Sequence, residues 1–196
     1  MNNEFQNLPY NLLSSGTLIT HNRRSRSVKI ALEDAAFSVM TDFNHIRPFS
    51  TSGDANIEQI NNKMIACGVR LLFVAEQDEV LLGLVTYNDI FGEKPLQYMQ
   101  EHGGKREEIL ARDIMTPRGQ LEALQLSDIL TTRVGDIVET IKSSGRQHIL
   151  VCENQPDGSH VITGLFSSTQ IENRLQIKIE MSPRANTFVD IERALA

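Results

Sequence analysis

The segment Gly83-Leu84-Val85-Thr86-Tyr87-Asn88-Asp89 carries the densest potential chemistry in the chain. Gly83 leaves room for a ligand to approach the backbone. If a strand gives way to a helix near Thr86, the free N–H groups and positive dipole end of that helix suit a phosphate. The Thr86 hydroxyl adds a donor, and the two acceptor oxygens of Asp89 can take both hydroxyls of a ribose. Thr86-x-x-Asp89 is also close to a capping box, a purely structural device. The pattern returns as Gly164-Leu165-Phe166-Ser167-Ser168-Thr169-Gln170. There Ser-x-x-Gln satisfies a capping box but lacks the charged, two-oxygen acceptor. Arg70 offers a guanidinium that suits phosphate or a surface ion pair. His148 heads an apolar run, the usual place of a half-buried structural histidine.

Other chemistry is thin. The histidines at 21, 45, 102, 148 and 160 form no HxxxH or HExxH pattern, so no protein metal site is expected. No nucleophile-elbow or Walker A sequence occurs. Cys67 and Cys152 make neither a disulfide framework nor a zinc pattern, and both are expected to be buried, reduced and inert. Without an evident base, nucleophile or metal cluster, an enzyme is not expected. The run Arg23-Arg24-Ser25-Arg26 with Lys29, and Glu107-Glu108, read as solvated surface.

These groups need a scaffold, and the composition supplies a globular one. Of the 196 residues, 40% are hydrophobic and 22% charged, which rules out wholesale disorder. The formal net charge of −6 disfavours nucleic acid and anionic membrane as partners. No apolar run approaches the roughly 20 residues of a membrane span. The first Lys or Arg is Arg23, so a secretory signal is not expected. A cytosolic protein is the resulting expectation.

An internal repeat organises the chain. Gly68-Val69-Arg70-Leu71-Leu72-Phe73-Val74 recurs 77 residues later as Gly145-Arg146-Gln147-His148-Ile149-Leu150-Val151. Upstream of each lies an amphipathic helical pattern, with Ile57, Ile60, Met64 and Ile65 in one and Val134, Ile137, Val138 and Ile141 in the other. Gly68 and Gly145 stand where those helices stop. Each copy continues through a turn into a second apolar run, 80–85 or 161–166, which predicts two β-hairpins. Val39-Met40-Thr41 recurs as Ile114-Met115-Thr116. Each copy reads strand, helix, strand, strand, helix. The divisions are an N-terminal extension (1–35), repeat one (36–95), a connecting helix and hinge (96–111), repeat two (112–175) and a tail helix (176–196). In the tail, Ser182 is the expected N-cap, Pro183 follows, and Phe188, Ile191 and Leu195 share one face.

The ordered, duplicated series resembles a pair of cystathionine-β-synthase-type (CBS) domains, a Bateman module. Val39-Met40-Thr41-Asp42, Asp113-Ile114-Met115-Thr116-Pro117, Gly68-Val69-Arg70 and 83–89 carry the resemblance, which spans about 36–175. It implies a pseudo-symmetric α+β pair with two clefts that bind AMP, ADP, ATP or S-adenosylmethionine in many members, and further association into a dimer. It also implies that the aspartate at position 89 grips a ribose and that Arg70 meets phosphate. The first strand of the opposite copy would complete that site, which nominates Thr116 and Arg118, with His148 at the rim. Thr41, Asn44, Ile46 and Ser167 would line the second, weaker cleft. The expected function is a regulatory adenine-nucleotide sensor that modulates a partner protein; the alternative is a ligand-free dimeric scaffold. No prosthetic group is expected.

Overall fold

The computed structural model describes residues 30–76 and 80–181, so the predicted tail helix with Ser182, Pro183, Phe188, Ile191 and Leu195 lies outside the described residues. The fold is α+β, with two four-stranded mixed sheets. One sheet holds β2 (Ser50–Thr51), β3 (Leu71–Ala75), β4 (Leu81–Thr86) and β5 (Thr116–Pro117) in that order. The other holds β1 (Thr41–Asp42), β8 (His160–Ser167), β7 (His148–Asn154) and β6 (Ala123–Gln125). The hairpins β3–β4 and β7–β8 are antiparallel, as the paired apolar runs predict. The short strands β2 and β6 add in parallel to β3 and β7 and have no signal in the sequence pattern.

Helices α1 (Ile57–Cys67) and α6 (Val134–Ser144) form where the two periodicities place them. The side chain of Asn56 accepts from Gln59 N–H and Gln59 returns the bond at 2.9 Å, closing a capping box on α1. On α6 the Asp136 carboxylate accepts from Arg133 N–H at 2.9 Å. Both helices end on a left-handed glycine, Gly68 at φ 65° and Gly145 at φ 61°. Each inner face buries apolar residues, Ile57, Ile60 and Met64 on α1 and Val134, Ile137, Val138 and Ile141 on α6, but Ile65, expected in the α1 stripe, is turned outward and exposed.

The leading segment of each repeat crosses to the other. β1 pairs with β8, and β5 pairs with β4. Ile30, Ala36 and Val39 lie in the core of the second repeat, while Ile109, Ala111 and Ile114 lie in that of the first. Backbone hydrogen bonds hold both arms, Val134 N to Asp34 O at 2.8 Å and Ala111 N to Ala55 O at 2.7 Å. This exchange explains two recurrent sequence features as one contact. A Cβ on Gly83 would lie 2.4 Å from Thr116 O and 2.9 Å from Met115 Sδ; one on Gly164 would lie 2.7 Å from Met40 Sδ. Each repeat's glycine receives the other's Met-Thr strand.

A third apolar cluster joins the sheets: Leu71, Phe73, Leu84 and Leu150 are buried, with Phe43, Leu121, Ile162 and Leu165 against them. Phe43 meets Phe73 edge-on at 5.7 Å between ring centroids. After β4 the chain forms α2 (Tyr87–Phe91) and α3 (Lys94–His102), then turns through Gly103 and Gly104, both at positive φ. Helices α4 (Ala111–Ile114), α5 (Leu126–Ile129) and α7 (Ser168–Leu175) complete the described chain. Past α7, Ile179 is buried, and its N–H donates to Glu172 Oε1 at 2.8 Å.

Candidate functional site

Arg70, Thr86 and His148 stand at the edge where β3 and β7 start and β4 and β8 end. The two repeats build this edge alike. Tyr87 N–H donates to Arg70 O at 2.9 Å, and Ser168 N–H donates to Gln147 O at 2.9 Å. The exposed Arg70 guanidinium lies 5.9 Å from the Tyr87 ring centroid. It has no carboxylate partner among the described residues. Across the interface it faces His148. Burial first, and then the Arg70 charge, lower the His148 imidazole to about 4, so the ring is neutral near pH 7.

Asp89 sits beside them under tight constraint. Thr86 N–H and the Thr86 hydroxyl both donate to Asp89 Oδ2 at 2.7 Å, and Asp89 N–H returns to the Thr86 oxygen at 3.3 Å. The capping box therefore forms. Lys94 Nζ lies 2.6 Å from Oδ1 and also donates to Ile114 O at 2.9 Å. Both carboxylate oxygens are thus engaged, one by its own helix start and one by a lysine that sequence reasoning missed. No periodic signal links Lys94 to Asp89, because a new helix begins between them.

The exchanged strand reaches this edge. Thr116 pairs with Leu84 and Pro117 with Gly83, so Thr116 arrives two residues before Thr86 along the sheet. The space expected beside Gly83 for a ligand is filled by β5 backbone, which corrects the role of that glycine. Arg118 follows in a 3-10 turn and is not brought to Arg70 or Asp89; it lines a different cavity, described below.

The second cleft departs from expectation. Ser167 makes no side-chain cap on α7, so the predicted Ser-x-x-Gln capping box does not form. Instead Thr41 Oγ donates across the repeats to Gln170 Oε1 at 3.0 Å. The longer amide reaches the exchanged strand, where the shorter Asp89 turns back to its own helix. Asn44 N–H and Nδ2 both donate to Asp42 Oδ1, at 2.9 and 3.0 Å. Those bonds, with the His45 contact, hold the Asp42 carboxyl below its ordinary value. Ile46 is 55% exposed. Of the thiols, Cys152 is buried and Cys67 only half-buried. Burial pushes the Cys152 thiol up.

A large cavity lies at the opposite ends of the strands. It measures about 1560 Å³ and is lined from both sheets, with Phe43, Phe73, Leu150 and Ile162 among its apolar walls and Lys63 and Arg118 among its charged ones. A smaller groove of about 410 Å³ runs between α1 and α2 past Ile65, Tyr87 and Phe91, which are 70%, 44% and 48% exposed. No group of three or more His, Cys, Asp or Glu side chains able to hold a metal ion occurs among the described residues.

No family model matches this chain, and no curated protein matches it. Solved structures do. An uncharacterized conserved protein from Pyrococcus horikoshii aligns over its whole length with 78% of this chain, at 18% identity and a TM-score of 0.54. A Methanocaldococcus jannaschii protein, described as a putative archaeal homologue of γ-AMPK, aligns over 49% of its length with 72% of this chain, at 11% identity and a TM-score of 0.51. CBSX2, solved in complex with AMP, aligns over 94% of its length with 71% of this chain, at 15% identity and a TM-score of 0.48.

Proposed function

We propose that this chain, which has the fold of a tandem CBS-domain pair, is a regulatory module that binds an adenosine-containing ligand where its repeats exchange strands. The exchange supports the reading, because it pairs Thr116 of one repeat with Leu84 of the other, two residues before Thr86 along the sheet. The ribose hydroxyls would displace Lys94 from Asp89 Oδ1. Phosphate would meet Arg70, with neutral His148 as a rim donor or acceptor. AMP, ADP, ATP and S-adenosylmethionine fit this chemistry, and CBSX2 is a protein of this fold solved with AMP. The signal would pass to a partner protein through the angle between repeats, which requires the ligand to prefer one arrangement. The reading includes a cytosolic homodimer; Ile65, Tyr87 and Phe91 on the outer face of α1 and α2 favour a self-contact. No described helix is long and apolar enough to cross a membrane.

A ligand-free scaffold is the second reading. It is favoured by the full engagement of Asp89 and by the Thr41–Gln170 bridge. Thermal shift with AMP, ADP, ATP, S-adenosylmethionine and a GTP control separates the two, on wild type and Asp89→Ala. A ligand at 100 times its dissociation constant adds about 2.7 kcal/mol. At about 2–4 °C per kcal/mol, the expected rise is roughly 5–10 °C. The rise should appear with an adenosine ligand and vanish in Asp89→Ala. Calorimetry on the same pair removes the effect of the variant's own lower stability. A folded wild type that responds to none of them refutes the sensor reading.

A further inference from the structure

The large cavity shares no residue with the Arg70, Thr86, Asp89, Thr116 and His148 edge. It lies where β3 and β7 end, between the sheets, and both repeats contribute to it. Its floor is apolar and partly aromatic: Phe73 and Leu150 are buried, and Phe43, Leu121 and Ile162 are half-buried around them. Such a floor accepts a flat or elongated hydrocarbon body, which gains about 25 cal/mol per Å² of apolar surface removed from water. At about 1560 Å³, the space exceeds the roughly 300–1,000 Å³ of an ordinary small-molecule pocket.

Among the described lining residues, the rim carries the opposite sign to the whole chain. Against a net charge of −6, the charged lining is Arg47, Lys63 and Arg118, with Glu76 the one carboxylate among the described lining residues. Lys63 and Arg118 have no ion pair among the described residues. A cationic rim over an apolar floor, in an otherwise acidic molecule, concentrates and orients amphipathic anions. A guanidinium and an ammonium on separate elements can hold one carboxylate, sulfonate or phosphate.

We propose that this cavity is a second ligand site, selective for an organic anion with an apolar body: the hydrocarbon rests on Phe43, Phe73, Leu150 and Ile162, and the anionic group lies between Lys63 and Arg118. Lys63 comes from α1 of the first repeat, and Arg118 follows the strand that the second repeat donates. An occupant therefore ties the two repeats together at the edge opposite Asp89.

Fluorescence titration with 1-anilinonaphthalene-8-sulfonate tests the site on the full chain, with decanoate and decanol as competitors. Wild type should bind the probe saturably at one per chain. Decanoate should displace it at least tenfold more effectively than decanol. Lys63→Glu/Arg118→Glu, confirmed as folded by circular dichroism, should weaken the probe at least tenfold. Asp89→Ala should leave probe affinity within about twofold. Non-saturable binding, equal competition by decanol, or full affinity in the folded double variant overturns the site. Loss of probe binding in a folded Asp89→Ala overturns its separateness. The decanoate-to-decanol ratio on wild type decides the charge argument even if the double variant fails to fold. Failure of AMP to bind would refute the nucleotide reading and leave these outcomes unchanged.

Discussion

Removing the charge at position 94 should tighten adenosine binding. Lys94 Nζ lies 2.6 Å from Asp89 Oδ1, with the side chains 40% and 12% exposed respectively. Thr86 already holds Oδ2 through two donors. A ribose diol that takes Asp89 must therefore expel the lysine, and the cost is whatever that pair contributes. A partly exposed pair contributes about 0.2–1 kcal/mol. At about 1.4 kcal/mol per tenfold change, Lys94→Met should bind adenosine roughly 1.4–5-fold more tightly. Adenosine is the right probe, because AMP would also lose the attraction of its phosphate for the lysine. The substitution removes the bond to Ile114 O as well, which costs about 0.5–1.5 kcal/mol of stability. Together with the roughly 0.2–1 kcal/mol of the lost pair, Tm should fall by roughly 1–10 °C. Calorimetry at 50 mM salt reads the gain, and the gap between variant and wild type should narrow at 500 mM as screening weakens the wild-type pair. Unchanged or weaker adenosine binding in a folded Lys94→Met would show that the ribose does not land on Oδ1.

Two further outcomes follow from the exchange and from His148. Gly83→Ala places a methyl 2.4 Å from a backbone oxygen, whereas Gly164→Ala meets only the flexible Met40 side chain. The first should lose about 2–3 kcal/mol in chemical denaturation and the second about 1 kcal/mol or less; equal losses would refute the strand contact. The His148 imidazole is lowered from 6.5 to about 4, so between those values the unfolded chain binds the extra proton. Stability from keeping the ring neutral is complete above pH 6.5 and is lost as pH falls toward 4, with a total of roughly 3 kcal/mol. His148→Gln should flatten that part of the Tm-against-pH curve; an unchanged slope would refute the burial argument.

The repeat, the two capped helices and both hairpins were legible because each rests on local signals: an apolar stripe, a stop glycine, two apolar runs about a turn. Thr86 and Asp89 were legible as a pair because a capping box has a fixed spacing. The exchange was expected from the resemblance alone, because the meeting of Met115-Thr116 with Gly83 depends on contact between distant segments. Lys94 was invisible for a related reason, since its partner lies across a break between two short helices. The large cavity was missed because its walls are ordinary apolar strand residues. Phe73 and Leu150, 77 residues apart at equivalent places in the repeats, were the available clue.

The two repeats share a backbone plan but not a site. Asp89 and Gln170 stand at equivalent places after their strands, and so do Thr116 and Thr41 in the exchanged arms. In the first repeat the charged group is held from its own side, by Thr86 and Lys94, and the exchanged Thr116 stays bound through strand pairing. In the second repeat the neutral amide crosses the cleft and accepts from Thr41. A ligand entering the first site replaces a partly exposed ion pair, while one entering the second must break a part-buried bond that joins the repeats. The amide it would free offers no anion to a ribose diol. Binding should therefore saturate at one adenosine ligand per chain. Gln170→Asp, which shortens the side chain and restores the carboxylate, should raise that number toward two; a stoichiometry of two in the unaltered chain would refute the asymmetry.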